Sequence, residues 1–195
     1  MNGQTQPGIR VLTYDELLQE FEQFNSYVRA IIQDGPDSVF LAELDRIYEE
    51  PNFSDPAGQE YPTEYLTKWR DKSASDTRWL IIVGDYGTGK TALTQILQYR
   101  WLQDYKHDPS CPIPFRIELR HFVRQFDARS LLHHFLDKNH LAHLSINFVL
   151  SLIREGRIVL LLDGYDEMAQ YLDVRERRAC LEALAELAAV ALKEF

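Results

Sequence analysis

Trp79-Leu80-Ile81-Ile82-Val83-Gly84-Asp85-Tyr86-Gly87-Thr88-Gly89-Lys90-Thr91 joins an apolar run to a glycine-rich turn, and its reading decides the fold. The run Leu80 to Val83, short and partly β-branched, predicts a buried strand. From Gly84 to Thr91 every fixed position of the pattern G-x-x-x-x-G-K-S/T is met. Gly84, Gly87 and Gly89 let the backbone turn tightly, so that N–H groups of the whole turn, Asp85, Tyr86 and Thr88 included, can face an anion. Lys90 would carry an ammonium to the outer phosphates of a bound nucleotide, and Thr91 would offer its hydroxyl to Mg²⁺. The helix that follows adds the partial positive charge of its N-terminus. Its apolar face is marked by Ala92, Leu93, Ile96, Leu97 and Trp101 at three- and four-residue spacing.

A second stretch gives the turn a partner. Ile158 to Leu162 is unbroken apolar sequence, as expected of a central parallel strand covered on both faces. Asp163-Gly164-Tyr165-Asp166-Glu167 then falls at its carboxyl end, where open α/β sheets bind ligands. An acidic turn means little alone. Beside a phosphate loop it supplies the carboxylate that the Mg²⁺ shell requires opposite Thr91, and Asp163 is the candidate.

Working outward, Phe115 to Leu119 alternates apolar with polar and predicts another strand, closed by Arg120. On the N-terminal side, Thr13 and Glu16 resemble a capping box ahead of a helix through Ile32, and Ser38 to about Glu49 predicts a second helix that Pro51 stops. Residues 51–59 have loop composition, Tyr61 to Lys72 reads as a helix, and Ser73 to Asp76 as a turn. Beyond Arg120, helices are expected at Ala128 to Leu136, at Ser145 to Arg154 with Gly156 ending it, and at Asp173 to Phe195.

With 45% hydrophobic and 26% charged residues among 195, the composition is that of a globular chain with one core. A net charge of −9 argues against nucleic acid or an anionic membrane as the main partner. No stretch reaches the roughly 18 apolar residues of a membrane span, and the polar start is unlike a secretory signal. Cys111 and Cys180 lack metal spacing and suit a reducing compartment, so a cytoplasmic location is expected. His133, His134, His140 and His143 invite a metal reading, with His140 and His143 able to share a helical face. Without nearby acidic or thiol ligands in an established geometry, they read as surface or interface histidines.

Taken together, Gly-Asp-Tyr-Gly-Thr-Gly-Lys-Thr at 84–91 and Ile-Val-Leu-Leu-Leu-Asp-Gly-Tyr-Asp-Glu at 158–167 resemble the NACHT family of signal-transducing NTPases, over about residues 61–190. The small Gly164 after Asp163, with acidic Asp166 and Glu167 displaced to three and four positions on, is similar to the family's arrangement. Phe115 to Arg120 looks like its second strand, and the wording of the phosphate loop is similar to bacterial members used in signalling and anti-phage defence. The resemblance implies a P-loop NTPase fold, a three-layer α/β/α parallel sheet of which about three strands are visible in these residues, preceded by a helical segment at 1–60. Residues 61–195 would be the NACHT-like core, without the fourth strand, the fifth strand or the lid regions of the family. It also implies ATP or ADP with Mg²⁺ as ligands, Lys90 on the terminal phosphates, Thr91 and Asp163 on Mg²⁺, and Asp166 with Glu167 positioning the attacking water. The partners implied are the rest of a larger protein and further copies on activation.

Two other readings fit the same residues. One is an interaction module that hydrolyses nothing, with the N-terminal and C-terminal helices as assembly surfaces. The other is a small-molecule kinase, which would need substrate-reading residues and lid arginines after the last strand.

Overall fold

In the computed structural model, which describes residues 14–71, 79–121, 127–170 and 172–192, two helices come first: α1, Tyr14–Ile32, and α2, Ser38–Ile47. The capping box at Thr13, the turn at Ser73 to Asp76 and the polar lead-in lie outside the described residues. The apolar spacing of α1 buries Phe24, Tyr27 and Val28 in the main core. Helix α1 therefore shares that core with the residues that follow. Within the stretch read as loop, Phe53–Ser54 (β1) and Glu60–Tyr61 (β2) form a two-residue antiparallel ladder. Asp55 closes it by accepting from the N–H groups of Ala57 and Gln59 at 2.9 and 3.0 Å. Tyr61 thus belongs to a strand, and the next helix is α3, Glu64–Asp71.

The run at 80–83 departs from expectation. Residues 79–85 form no strand, Ile81 is 79% exposed and Val83 89%. Ile82 alone turns inward, against Leu66, Leu93, Leu97 and Trp101. The reason is pairing: an extended segment needs neighbours for its N–H and C=O groups, and no described residue supplies a ladder partner. Apolar content marks a segment suited to a sheet without building the sheet.

After the glycine turn come α4, Lys90–His107, and β3, Ile113–Glu118, which runs into a 3₁₀ turn at Leu119–His121. Helices α5, Ala128–Lys138, and α6, Ile146–Arg154, cross back to β4, Ile158–Asp163. A parallel pair requires such a crossover. Both helices begin on side-chain caps: Asp127 accepts from the Ser130 N–H at 2.9 Å and Ser145 from the Phe148 N–H at 3.2 Å. His140, with φ 58°, and His143 sit in the turn between α5 and α6, not on one helical face. A short helix α7, Tyr165–Gln170, and a long one, α8, Val174–Leu192, complete the described chain.

β3 and β4 pair in parallel, Phe115 opposite Leu160 and Glu118 opposite Asp163, so among the described residues the sheet beside α4 has two strands and not three. Alternation along β4 divides its side chains between two clusters. Val159 and Leu161 meet Leu93, Leu97 and Trp101 of α4, whereas Ile158, Leu160 and Leu162 join the main core with α5, α6 and α8. The same period places Arg116, Glu118 and Asp163 with Leu161, on the face that α4 covers.

Candidate functional site

The glycine turn is built by its backbone. Gly87 and Gly89 hold φ of 81° and 82°, left-handed values that a side chain disfavours, and Gly89 caps α4. Gly84 is needed for space: a Cβ there would lie 2.8 Å from Thr88 Oγ1. Thr88 closes the turn, its hydroxyl donating to the Asp85 carbonyl at 2.8 Å. Tyr86 stands at the tip, 98% exposed. Lys90 folds back over the turn and donates to the carbonyls of Gly84 and Asp85 at 2.6 and 3.0 Å. Its ammonium also lies 3.8 Å from Asp166 Oδ2.

Opposite the turn is the carboxyl end of β4. Asp163 is buried, and its Oδ1 accepts from the Thr91 hydroxyl at 3.3 Å across 72 positions of sequence. Alignment of the first turn of α4 with the last residue of β4 brings the two stretches together. Hydroxyl and carboxylate oxygens are hard donors of the kind Mg²⁺ takes, and a cationic side chain over a glycine-rich turn at a helix start is suited to a polyphosphate. Gly164, with φ 79°, then turns the chain into α7, which carries Asp166 and Glu167 back toward the site. Glu167 Oε2 faces Arg120 at 3.9 Å, and the hydrogen bond that Arg120 donates to Glu118, with the carboxylate's charge, holds the Arg120 guanidinium above its ordinary pKa.

Two residues of the site have no part in the motifs. Arg116 donates from Nη2 to Asp163 Oδ2 at 2.7 Å, from Nη1 to Glu118 Oε1 at 2.7 Å and from Nε to Thr94 Oγ1 at 2.9 Å. Glu118 also accepts from Arg120 at 3.0 Å. A signal was present: Arg116 and Glu118 alternate with buried Phe115 and Ile117, and a charge on a largely buried strand needs a partner. Among the described residues no group of three or more His, Cys, Asp or Glu side chains is placed to hold a metal ion. No described helix is long and apolar enough to cross a membrane.

A glycine turn opening a helix beside an acidic strand end defines a class of α/β nucleotide-site proteins. Residues 78–194 match the NACHT domain, and the chain belongs to that family. Its P-loop NTPase fold forms the nucleotide-binding module of larger signalling proteins. The chain is also 32% identical over 116 residues to an uncharacterised WD repeat-containing protein of Nostoc sp., a match covering 56% of this chain and 7% of that protein. No solved structure matches the chain.

Proposed function

We propose that this chain binds ATP with Mg²⁺ between residues 84–91 and 163–167 and acts as the nucleotide-controlled switch of a larger signalling or anti-phage defence protein. The observation that carries the reading is the 3.3 Å approach of the Thr91 hydroxyl to Asp163, which unites the two motifs in one site. The donor set fits the ligand. Thr91 and Asp163 would hold Mg²⁺, which when bound would offset negative charge on the phosphate oxygens. Lys90 would exchange its contacts with the Gly84 and Asp85 carbonyls for the terminal phosphates. Asp166 and Glu167, brought in by α7, would orient the attacking water, giving slow hydrolysis. A three-layer α/β/α sheet would be completed by strands beside residues 80–83, and activation would proceed through self-association.

Exposure of Ile81 and Val83 favours a second reading, in which the chain is an assembly module and the nucleotide is structural. Binding and turnover separate the two. Lys90→Ala is expected to abolish binding of a fluorescent ATP analogue, whereas Glu167→Gln keeps binding and slows phosphate release. Both variants binding like the parent would end the nucleotide reading. Binding with no turnover that Glu167→Gln can lower would favour the assembly module.

A further inference from the structure

The proposed magnesium carboxylate already has a cation on it. Arg116 and Asp163 side chains are each 8% exposed and meet at 2.7 Å, so the pair is shielded from solvent. A shielded charge that loses its partner is strongly destabilised, and two cations drawn to one carboxylate compete. Arg116 is arranged so that this competition has a low cost. Its guanidinium is also bound to Glu118 at 2.7 Å and to Thr94 at 2.9 Å, so release of Asp163 does not leave it unpaired. Beyond it lies a cavity of about 400 Å³ between α1, α2, α4 and α5, which Arg116 and Glu118 both line. The guanidinium thus has room to withdraw with its second carboxylate.

We infer that Arg116 is an exchangeable internal cation: it aligns the Asp163 carboxylate with Thr91 and yields part of that carboxylate when a divalent ion enters with nucleotide. This rests on the nucleotide reading above and adds a regulation of the same site. Arg116 is a positioning residue that sets how much Mg²⁺ the site requires. Because its Nε holds Thr94, one turn beyond Thr91 on α4, the exchange is also felt by the helix that carries the phosphate turn.

The test is a titration of free Mg²⁺ against binding of a fluorescent ATP analogue, with the full chain as parent, Arg116→Met and Arg116→Lys. In EDTA, Arg116→Met is expected to melt below the parent. Its half-saturating Mg²⁺ concentration is expected to fall about tenfold, the effect of removing one charge-assisted hydrogen bond from the carboxylate. Arg116→Lys, whose single ammonium cannot bridge Asp163 and Glu118 as a planar fork does, should fall between the two. A merely structural role would weaken analogue binding alike at every Mg²⁺ concentration. Half-saturation unchanged or raised in Arg116→Met overturns the inference, and if that variant does not fold, an unchanged value in Arg116→Lys does so. A parent that binds no analogue sinks the nucleotide reading and this inference with it. A parent that binds, with variants of unaltered Mg²⁺ requirement, sinks the exchange alone.

Discussion

The Tyr27 hydroxyl donates to the Pro114 carbonyl at 3.0 Å and accepts from the Gln98 amide at 3.0 Å. One side chain of α1 thereby joins the second residue of β3 to the middle of α4. Pro114 has no N–H to offer a ladder, and the helix laid against it covers that stretch of strand. The Tyr27 ring packs edge-on against Phe115 and Phe135, with centroids 5.4 and 6.0 Å away.

Tyr27→Phe keeps those ring contacts and deletes the hydroxyl. The Gln98 amide and the Pro114 carbonyl then lose a partner in a buried setting, which costs about 1–3 kcal/mol. Urea unfolding should show this as a lower midpoint with an unchanged slope. An unchanged midpoint would mean that α1 is not anchored to β3 through this group.

Alkaline pH supplies an independent check. Burial pushes the Tyr27 phenol up, with the Gln98 hydrogen bond and the charge of Arg116 opposing that rise. In the unfolded chain the phenol ionises near pH 10, below its folded value, so from there upward the folded state holds more protons. Stability is therefore complete below about pH 10 and falls as pH rises, by up to about 1.4 kcal/mol per unit for this group. Denaturant midpoints between pH 9 and 11 should fall more steeply in the parent than in Tyr27→Phe. Parallel curves would contradict the buried placement.

Gly89→Ala isolates the conformation of the phosphate turn. A Cβ at that position meets nothing within 4 Å, so its cost comes from φ of 82° alone. The left-handed penalty for an ordinary residue is about 1–2 kcal/mol, and a loss of that size is expected in chemical unfolding. A variant as stable as the parent would show that the turn is not held left-handed at this residue.

Ile81→Lys and Val83→Lys discriminate a buried strand from an exposed run. At 79% and 89% exposure, each charge stays in water and should alter stability by no more than about 0.5 kcal/mol. The same changes in a covered strand would each bury an unpaired ammonium and cost several times that. Self-association measured by light scattering should also fall, because two large apolar side chains leave the surface. Losses of a buried-strand size would show that residues 80–83 are covered in solution.

Much of the architecture was legible. Helices α1, α2, α5, α6 and α8 follow from apolar spacing at 3.6 residues, with Ser145 a good N-cap, whereas the cap at Asp127 came only from the structure. β4 was visible as an unbroken apolar run and β3 as an alternating one. The family resemblance also agrees with the match over residues 78–194. The two-residue ladder of β1 and β2 was hidden because so short a pairing leaves no period in the sequence. Arg116 was passed over for a different reason: a single arginine on an alternating strand reads as a solvent-facing residue until something covers that face.

Residue order settled which chemical groups stand together along one element: a glycine turn, an ammonium, a hydroxyl at a helix start and acids at a strand end. Local spacing suffices there, because backbone torsions and hydrogen bonds within a few residues set it. Folding in space settled the rest. It left Ile81 and Val83 in solvent and put the guanidinium of Arg116 on Asp163. Both outcomes depend on which distant segment lies alongside, and ladder pairing and charge neutralisation act across gaps of a few ångström between residues dozens of positions apart.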